Sequence, residues 1–307
     1  MLQYIAKRLL LTIPTIVAIT LMVFTMLHAV PGDPATIFAG DKNVTPEQLA
    51  VVRRSMGLDR PLTVQYLDYL TRVLTGNFGR SLYSQRPVSI EISQRWPSSA
   101  ELAASAFVLA STLGLVLGII SALWRSTWID ASAMLFAMLG VSMPIFWLAS
   151  MLIFVFGITL GWFPVIGSGG WNRLVLPALA LGLISSATLA RLVRSSVLEV
   201  LSQPFVTTAR SKGLAEFKIL ARHVLKNAFI PVITVMGLQF GTLLSGAVIT
   251  ETVFARRGIG KLLIDSILIK DFPIIQAVIM IISLAYVLIN LLVDVSYALL
   301  DPRIRFD

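Results

Sequence analysis

Apolar runs long enough to cross a bilayer recur along this sequence, and nothing constrains its fold more. They cover residues 9–30, 100–123, 131–160, 177–193, 231–250 and 274–300, and roughly 17–25 apolar residues suffice for a helical crossing. Backbone N–H and C=O groups find no water in lipid, so each run must satisfy them internally as a helix. The expected fold is an all-α polytopic membrane protein with six transmembrane helices. Composition agrees: 56% of the 307 residues are hydrophobic and 13% charged, against roughly 45–50% and 25% in soluble domains.

Charge and chemistry narrow the function. The 25 Lys and Arg against 16 Asp and Glu give a net charge of +9. These cations stand at the edges of apolar runs, the membrane pattern, and form no nucleic-acid face. With no cysteine, disulfides, thiolate metal sites and thiol nucleophiles are excluded. His28 and His223 lie far apart, and no metal-ligating cluster or serine–histidine–acid set accompanies them. Gly260-Lys261 imitates the end of a phosphate loop, but Ala255 and Leu262 stand where that loop needs Gly and Ser or Thr. Ion-coupled carriers use intramembrane carboxylates or broken-helix pairs; here Asp294, near the inner boundary, is the main candidate. The energy source is therefore expected on another chain. A self-sufficient ion-coupled carrier is the alternative from a different class, and an exporter subunit is a second.

Taken in order, residues 1–30 hold a tail with Lys7 and Arg8 and the first span. That run exceeds a signal-peptide core, and Pro31-Gly32-Asp33-Pro34 follows in place of a cleavage site, so a retained span with a cytoplasmic N-terminus is expected. Residues 31–96 form a small external helical domain. Thr45-Pro46-Glu47 reads as a helix start, Val64 to Val73 as a second helix, and Gly76-Asn77-Phe78-Gly79-Arg80-Ser81 as a turn. The five-helix core, 97–307, includes a cytoplasmic loop at 199–230. In it, Gly114 and Gly118 allow either close helix approach or nothing special. Pro144, after Ser142 and Met143, predicts a kink that lines a path or is only structural. Gln239, Thr242 and Ser245 give the fifth span a polar stripe, read as pathway with helix packing as the rival. The cations Arg256, Arg257, Lys261 and Lys270 fall on an external loop against the positive-inside rule, and ordinary solvation is the expectation for them.

Residues 207–231, TTARSKGLAEFKILARHVLKNAFIP, are too charged for lipid, yet place Leu214, Phe217, Ile219, Leu220, Val224 and Leu225 among the cations at roughly helical spacing. Two helical pieces around Gly213, built to dock on something, are expected; a positively charged topology anchor is the plain alternative. The order Ala209, Gly213, His223, Leu225, Asn227, Pro231 resembles the conserved loop of ATP-binding-cassette importer permeases. Pro-Gly-Asp-Pro at 31, Gly-Leu-Asp-x-Pro at 57, Gly-x-Phe-Gly-x-Ser at 76 and Asp301-Pro302-Arg303 resemble the dipeptide, oligopeptide and nickel branch, closest to dipeptide permeases. Thr207-Thr208-Ala209 replaces the usual acidic-alanine start, and Arg257 replaces a proline.

The resemblance implies a type I importer permease of the bacterial inner membrane, moving di- or oligopeptides, with nickel, a nickel chelate or glutathione as alternatives within the family. It implies a homologous second permease, two cytoplasmic ATP-binding subunits, an extracytoplasmic substrate-binding protein and surrounding lipid as partners. ATP and Mg would sit on the partner subunits, with no cofactor, metal or catalytic residue on this chain. Thr208, Ala209, Arg210, Lys212, Gly213, His223, Leu225 and Asn227 would couple to the ATPase. Ser142, Met143, Pro144, Gln239, Thr242 and Ser245 would line the path. Asp33, Phe78, Arg80, Glu251, Phe254, Gly258 and Gly260 would form the external gate or contact the binding protein.

Overall fold

The computed structural model describes residues 2–29, 35–36 and 45–300; Asp33 and the chain end from Asp301 lie outside these. Among the described residues there is no strand, only an isolated bridge between Arg80 and Pro87. Helix α1 runs Leu2–Ala29, α2 Pro46–Met56, α3 Leu62–Leu74 and α4 Val88–Leu123. Then come α5 Trp128–Ser142, α6 Ile145–Leu152 with a π-helical extension Ile153–Thr159, and α7 Asn172–Leu201. Short α8 Pro204–Ser211 and α9 Glu216–Ile219 lead through a π turn, Leu220–Val224, into α10 Leu225–Val253. Helices α11 Ile259–Leu268 and α12 Phe272–Leu300 complete the fold.

Five helices among the described residues are long and apolar enough to cross a membrane, and α5 with α6 makes a sixth if counted together. The two halves of that pair are bent by 108°, a break and not the kink expected from sequence. Pro144 lacks an N–H and forces the preceding residue out of helical geometry; Met143 accordingly takes φ −83° and ψ 128°. Elsewhere prolines do not end helices. Pro97, Pro177 and Pro231 all lie inside α4, α7 and α10, so these spans start earlier than their prolines suggest. Helix α4 starts at Val88 and carries what the sequence assigns to the end of the external domain.

The centre of the bundle is the α4–α7 pair. A Cβ on Gly114 would come within 2.7 Å of Leu189 Cβ, and one on Gly118 within 2.5 Å of Val193 Cβ and 2.7 Å of the Ala190 carbonyl. The Gly-x-x-x-Gly step is therefore a site of backbone approach, the usual way membrane helices gain dispersion contact. Helices α5, α6 and α10 pack around α7, and α1 packs on α12 at the periphery. Thr20 Oγ1 lies 2.8 Å from Tyr66 Oη, which ties α1 to α3.

Candidate functional site

At one end of the bundle, α8 and α9 form a helical elbow. Pro204 opens α8 at a position where a missing N–H costs nothing. Gly213 closes it with φ +74°. Gly213 N donates to Arg210 O at 2.9 Å and Leu214 N to Ala209 O at 3.3 Å, the paired bonds of a glycine-terminated helix. Arg210 then bridges the elbow, with Nε and Nη2 at 2.7 and 3.2 Å from the two Glu216 oxygens. This explains why a glycine stands at 213: only it enters the left-handed region without cost.

The faces of the elbow differ from the sequence expectation. Val206, Ala209, Ile219 and Val224 are buried in one cluster with Leu189, Val193, Val197 and Val232 of this same chain, and Leu214, Leu220 and Leu225 pack against it. Ala209 thus permits close approach to its own bundle. What remains outside is Phe217, 80% exposed, with Phe205, Thr208 and Lys212. Helical periodicity identifies an apolar face but not whether the same chain or another covers it. His223 is half-buried in the π turn, and its carbonyl accepts from Asn227 Nδ2 at 2.6 Å. Because α9, the π turn and α10 are continuous, the elbow is the end of a rod roughly 55 Å long at 1.5 Å per residue.

Near the elbow lies a pair with no local signal in the sequence. Asp130 is buried and accepts from Arg194 Nε and Nη2, both at 2.8 Å, from Ser121 Oγ at 2.5 Å and from Ser126 N at 3.0 Å. It fastens the α4–α5 turn to α7.

At the far end of the rod, Glu251 is fully buried. Its carboxylate accepts from Ser99 Oγ, from Gly260 N at 2.8 Å and from Lys261 N at 3.1 Å. The orphan N–H groups that open α11 are satisfied by a side chain from α10. A Cβ on Gly258 would lie 2.0 Å from Glu251 Oε1, and one on Gly260 2.5 Å from Val248 Cα, so both glycines serve close packing. Arg256 is also buried: Nη2 pairs with the Glu101 carboxylate, and Nε lies 3.3 Å from Ser98 O. Solvation, expected from sequence, does not describe it. Phe254 is 1% exposed. Of the residues read as external contacts, Glu251, Phe254, Gly258 and Gly260 are therefore interior to this chain, Phe78 packs beside Val88 and Ile259, and Arg80 is exposed.

Among the residues read as pathway, Gln239 Nε2 donates to Ser185 O at 2.6 Å and so joins α10 to α7. Ser142, Pro144, Thr242 and Ser245 are exposed, and Met143 is half-buried. The sequence reading missed that α7 also exposes Thr188, Arg191 and Ser195 along one face, at helical spacing.

Comparison with known proteins agrees with this geometry. The glutathione transport system permease proteins GsiC of Salmonella typhimurium (strain LT2) and Escherichia coli (strain K12) are each 44% identical over 306 residues, covering 100% of both chains. Among solved structures, the inward-facing MetNI methionine ABC transporter superposes with TM-score 0.57 at 16% identity, over 66% of this chain and 93% of that one. An amino acid ABC transporter superposes with TM-score 0.53 at 17% identity, over 70% and 95%. Residues 114–306 match the model of the binding-protein-dependent transport system inner membrane component, and residues 1–103 match the corresponding N-terminal model. The chain belongs to this family of multi-pass inner-membrane proteins, the permease subunits of ABC importers that work with ATPase and substrate-binding partners.

Proposed function

We propose that this permease carries short peptides into the cell and is driven from its elbow at Gly213 by separate ATPase subunits. The observation that carries the reading is the elbow itself, an aromatic knob at Phe217 on a rigid glycine-terminated turn continuous with a transmembrane rod. A partner that grips Phe217, Phe205 and Lys212 moves α10, and with it the Glu251 network at the other end. The cations of residues 207–231 support a cytoplasmic position for this loop by the positive-inside rule, with the N-terminus on the same side. Two ATPase subunits and a second, homologous permease complete the assembly. ATP and Mg bind on the ATPase subunits, so this chain contributes two-state contacts and no covalent chemistry.

The substrate class rests on α7. Arg191 is exposed at the same face as Thr188 and Ser195, within a helix read as membrane-spanning. A cation there avoids lipid and turns to a water-filled cavity. A positively charged inner mouth suits solutes that carry carboxylates, as peptides do, and opposes passage of a bare divalent cation. The GsiC relatives carry glutathione in their name, and glutathione is a tripeptide, so it belongs within this class.

Uptake into membrane vesicles tests the reading. ATP and the binding protein should both be required, and short peptides or glutathione should accumulate while free nickel does not. Transport driven by an ion gradient without ATP would overturn it.

A further inference from the structure

A cavity of about 350 Å³ lies where α3 and the turn after it meet α1 and α12. It is at the opposite end of the bundle from the elbow, since α12 follows α11 and the far end of α10. Ligand pockets occupy roughly 300–1,000 Å³, so there is room for part of a small molecule. The apolar wall includes Phe24 of α1 and Phe272 of α12. Ring contacts with Tyr66 and Tyr69, at centroid distances of 5.4 and 5.9 Å, fix Phe24 in place. Phe24 stands near the end of the apolar span Arg8–Met26, and Phe272 opens the span Phe272–Val293. The cavity therefore sits at the depth where a bilayer changes from hydrocarbon to headgroups.

The polar part of the wall carries uncompensated positive charge. Arg72, Arg80 and Asp68 all line the cavity, but Asp68 is paired with Arg60 at 2.9 Å. Arg72 Nε donates to Asp68 O at 3.3 Å and Arg80 Nη1 to Gln85 O at 3.1 Å, both backbone carbonyls. Among the described residues, neither guanidinium has a carboxylate partner. The Tyr69 hydroxyl, on the same wall, is shut off from water and has no hydrogen-bond partner. Buried hydroxyls nearly always have one, so an acceptor supplied from the cavity would complete this wall.

Two unpaired guanidinium groups, an unmet donor and an aromatic wall together suit an oxyanion joined to an apolar chain. We infer that the cavity is a binding site for one anionic phospholipid, with its phosphate at Arg72 and Arg80 and the root of an acyl chain against Phe24 and Phe272. Charge selects the headgroup: phosphatidylglycerol presents only negative charge to the two arginines, whereas phosphatidylcholine also brings a cation. A soluble oxyanion, such as inorganic phosphate or a peptide carboxylate, matches the arginines but leaves the aromatic wall uncovered. The bound lipid braces α3 against the two peripheral spans.

The test uses the complete complex in detergent and a phosphatidylglycerol whose acyl chain carries a photoreactive diazirine, with adducts located by peptide mass spectrometry. Co-purified ATPase subunits check that each variant assembles. Adducts should fall within residues 69–82 or 272–277. Excess unlabelled phosphatidylglycerol should remove them, and phosphatidylcholine with the same chains should compete about tenfold less well. Arg72→Gln combined with Arg80→Gln should lower the adduct about tenfold. Val73→Trp, which fills the cavity and keeps both arginines, should lower it as much. Adducts at these residues within twofold of wild type in either variant would overturn the inference, as would equal competition by phosphatidylcholine. Displacement by inorganic phosphate or glycylglycine as effective as that by phosphatidylglycerol would also overturn it, and would assign the site to a soluble anion.

Discussion

Arg194 holds Asp130 through two nitrogens, Nε and Nη2, each 2.8 Å from a different carboxylate oxygen. The two residues lie far apart in sequence, yet this pair fixes where α7 meets the α4–α5 turn, one helix away from the elbow. Ser121 and Ser126 fill the remaining acceptor sites of the carboxylate, so the pair meets the condition under which a buried ion pair is tolerated.

Arg194→Ala would leave Asp130 buried without its main partner. The expected loss is about 3 kcal/mol, the low end for a broken buried pair, because Arg194 is 27% exposed. Thermal unfolding of the detergent-solubilised complex measures it. The double variant with Asp130→Ala should lose clearly less than the sum of the two single variants; strict additivity would mean the pair does not act as a unit.

Gly213 occupies the left-handed region with open space around its missing side chain. Replacement therefore costs backbone strain, about 1–2 kcal/mol for Ala, and no clash. Gly213→Asp adds a carboxylate to the elbow that Arg210 and Glu216 close. We expect at least tenfold less transport with normal membrane insertion, read by vesicle uptake beside immunoblots of the membrane fraction. Wild-type uptake in this variant would remove the elbow from the mechanism.

These two sites show what the sequence could and could not disclose. Thr45-Pro46-Glu47, the positive-φ glycine at 213 and the apolar runs act through local backbone physics; the helix start and the turn formed where the residues placed them, while the spanning helices run beyond their apolar runs. Asp130 with Arg194, Arg256 with Glu101, and Gln239 with Ser185 depend on which helices become neighbours, which no local pattern encodes. The elbow is the intermediate case. Its amphipathic spacing was visible, but Ile219 and Val224 turned to their own bundle and left Phe217 outside. Pro144 was visible as well, while the 108° of the resulting bend was not.

Gly258→Ala drives a methyl group into the Glu251 carboxylate, at 2.0 Å before any adjustment. Overpacking of this kind costs about 1–3 kcal/mol or more, so the variant should melt earlier and transport poorly.

The central claim is that a second protein grips the elbow, and the absence of cysteine in this chain makes it directly measurable. In Phe217→Cys the introduced thiol is the chain's only one, so maleimide labelling in native membranes reports that position alone. Rapid labelling without the ATPase subunits, and protection of at least about tenfold when they are assembled, is the predicted result. Equal labelling in the presence and absence of the ATPase subunits would contradict the account.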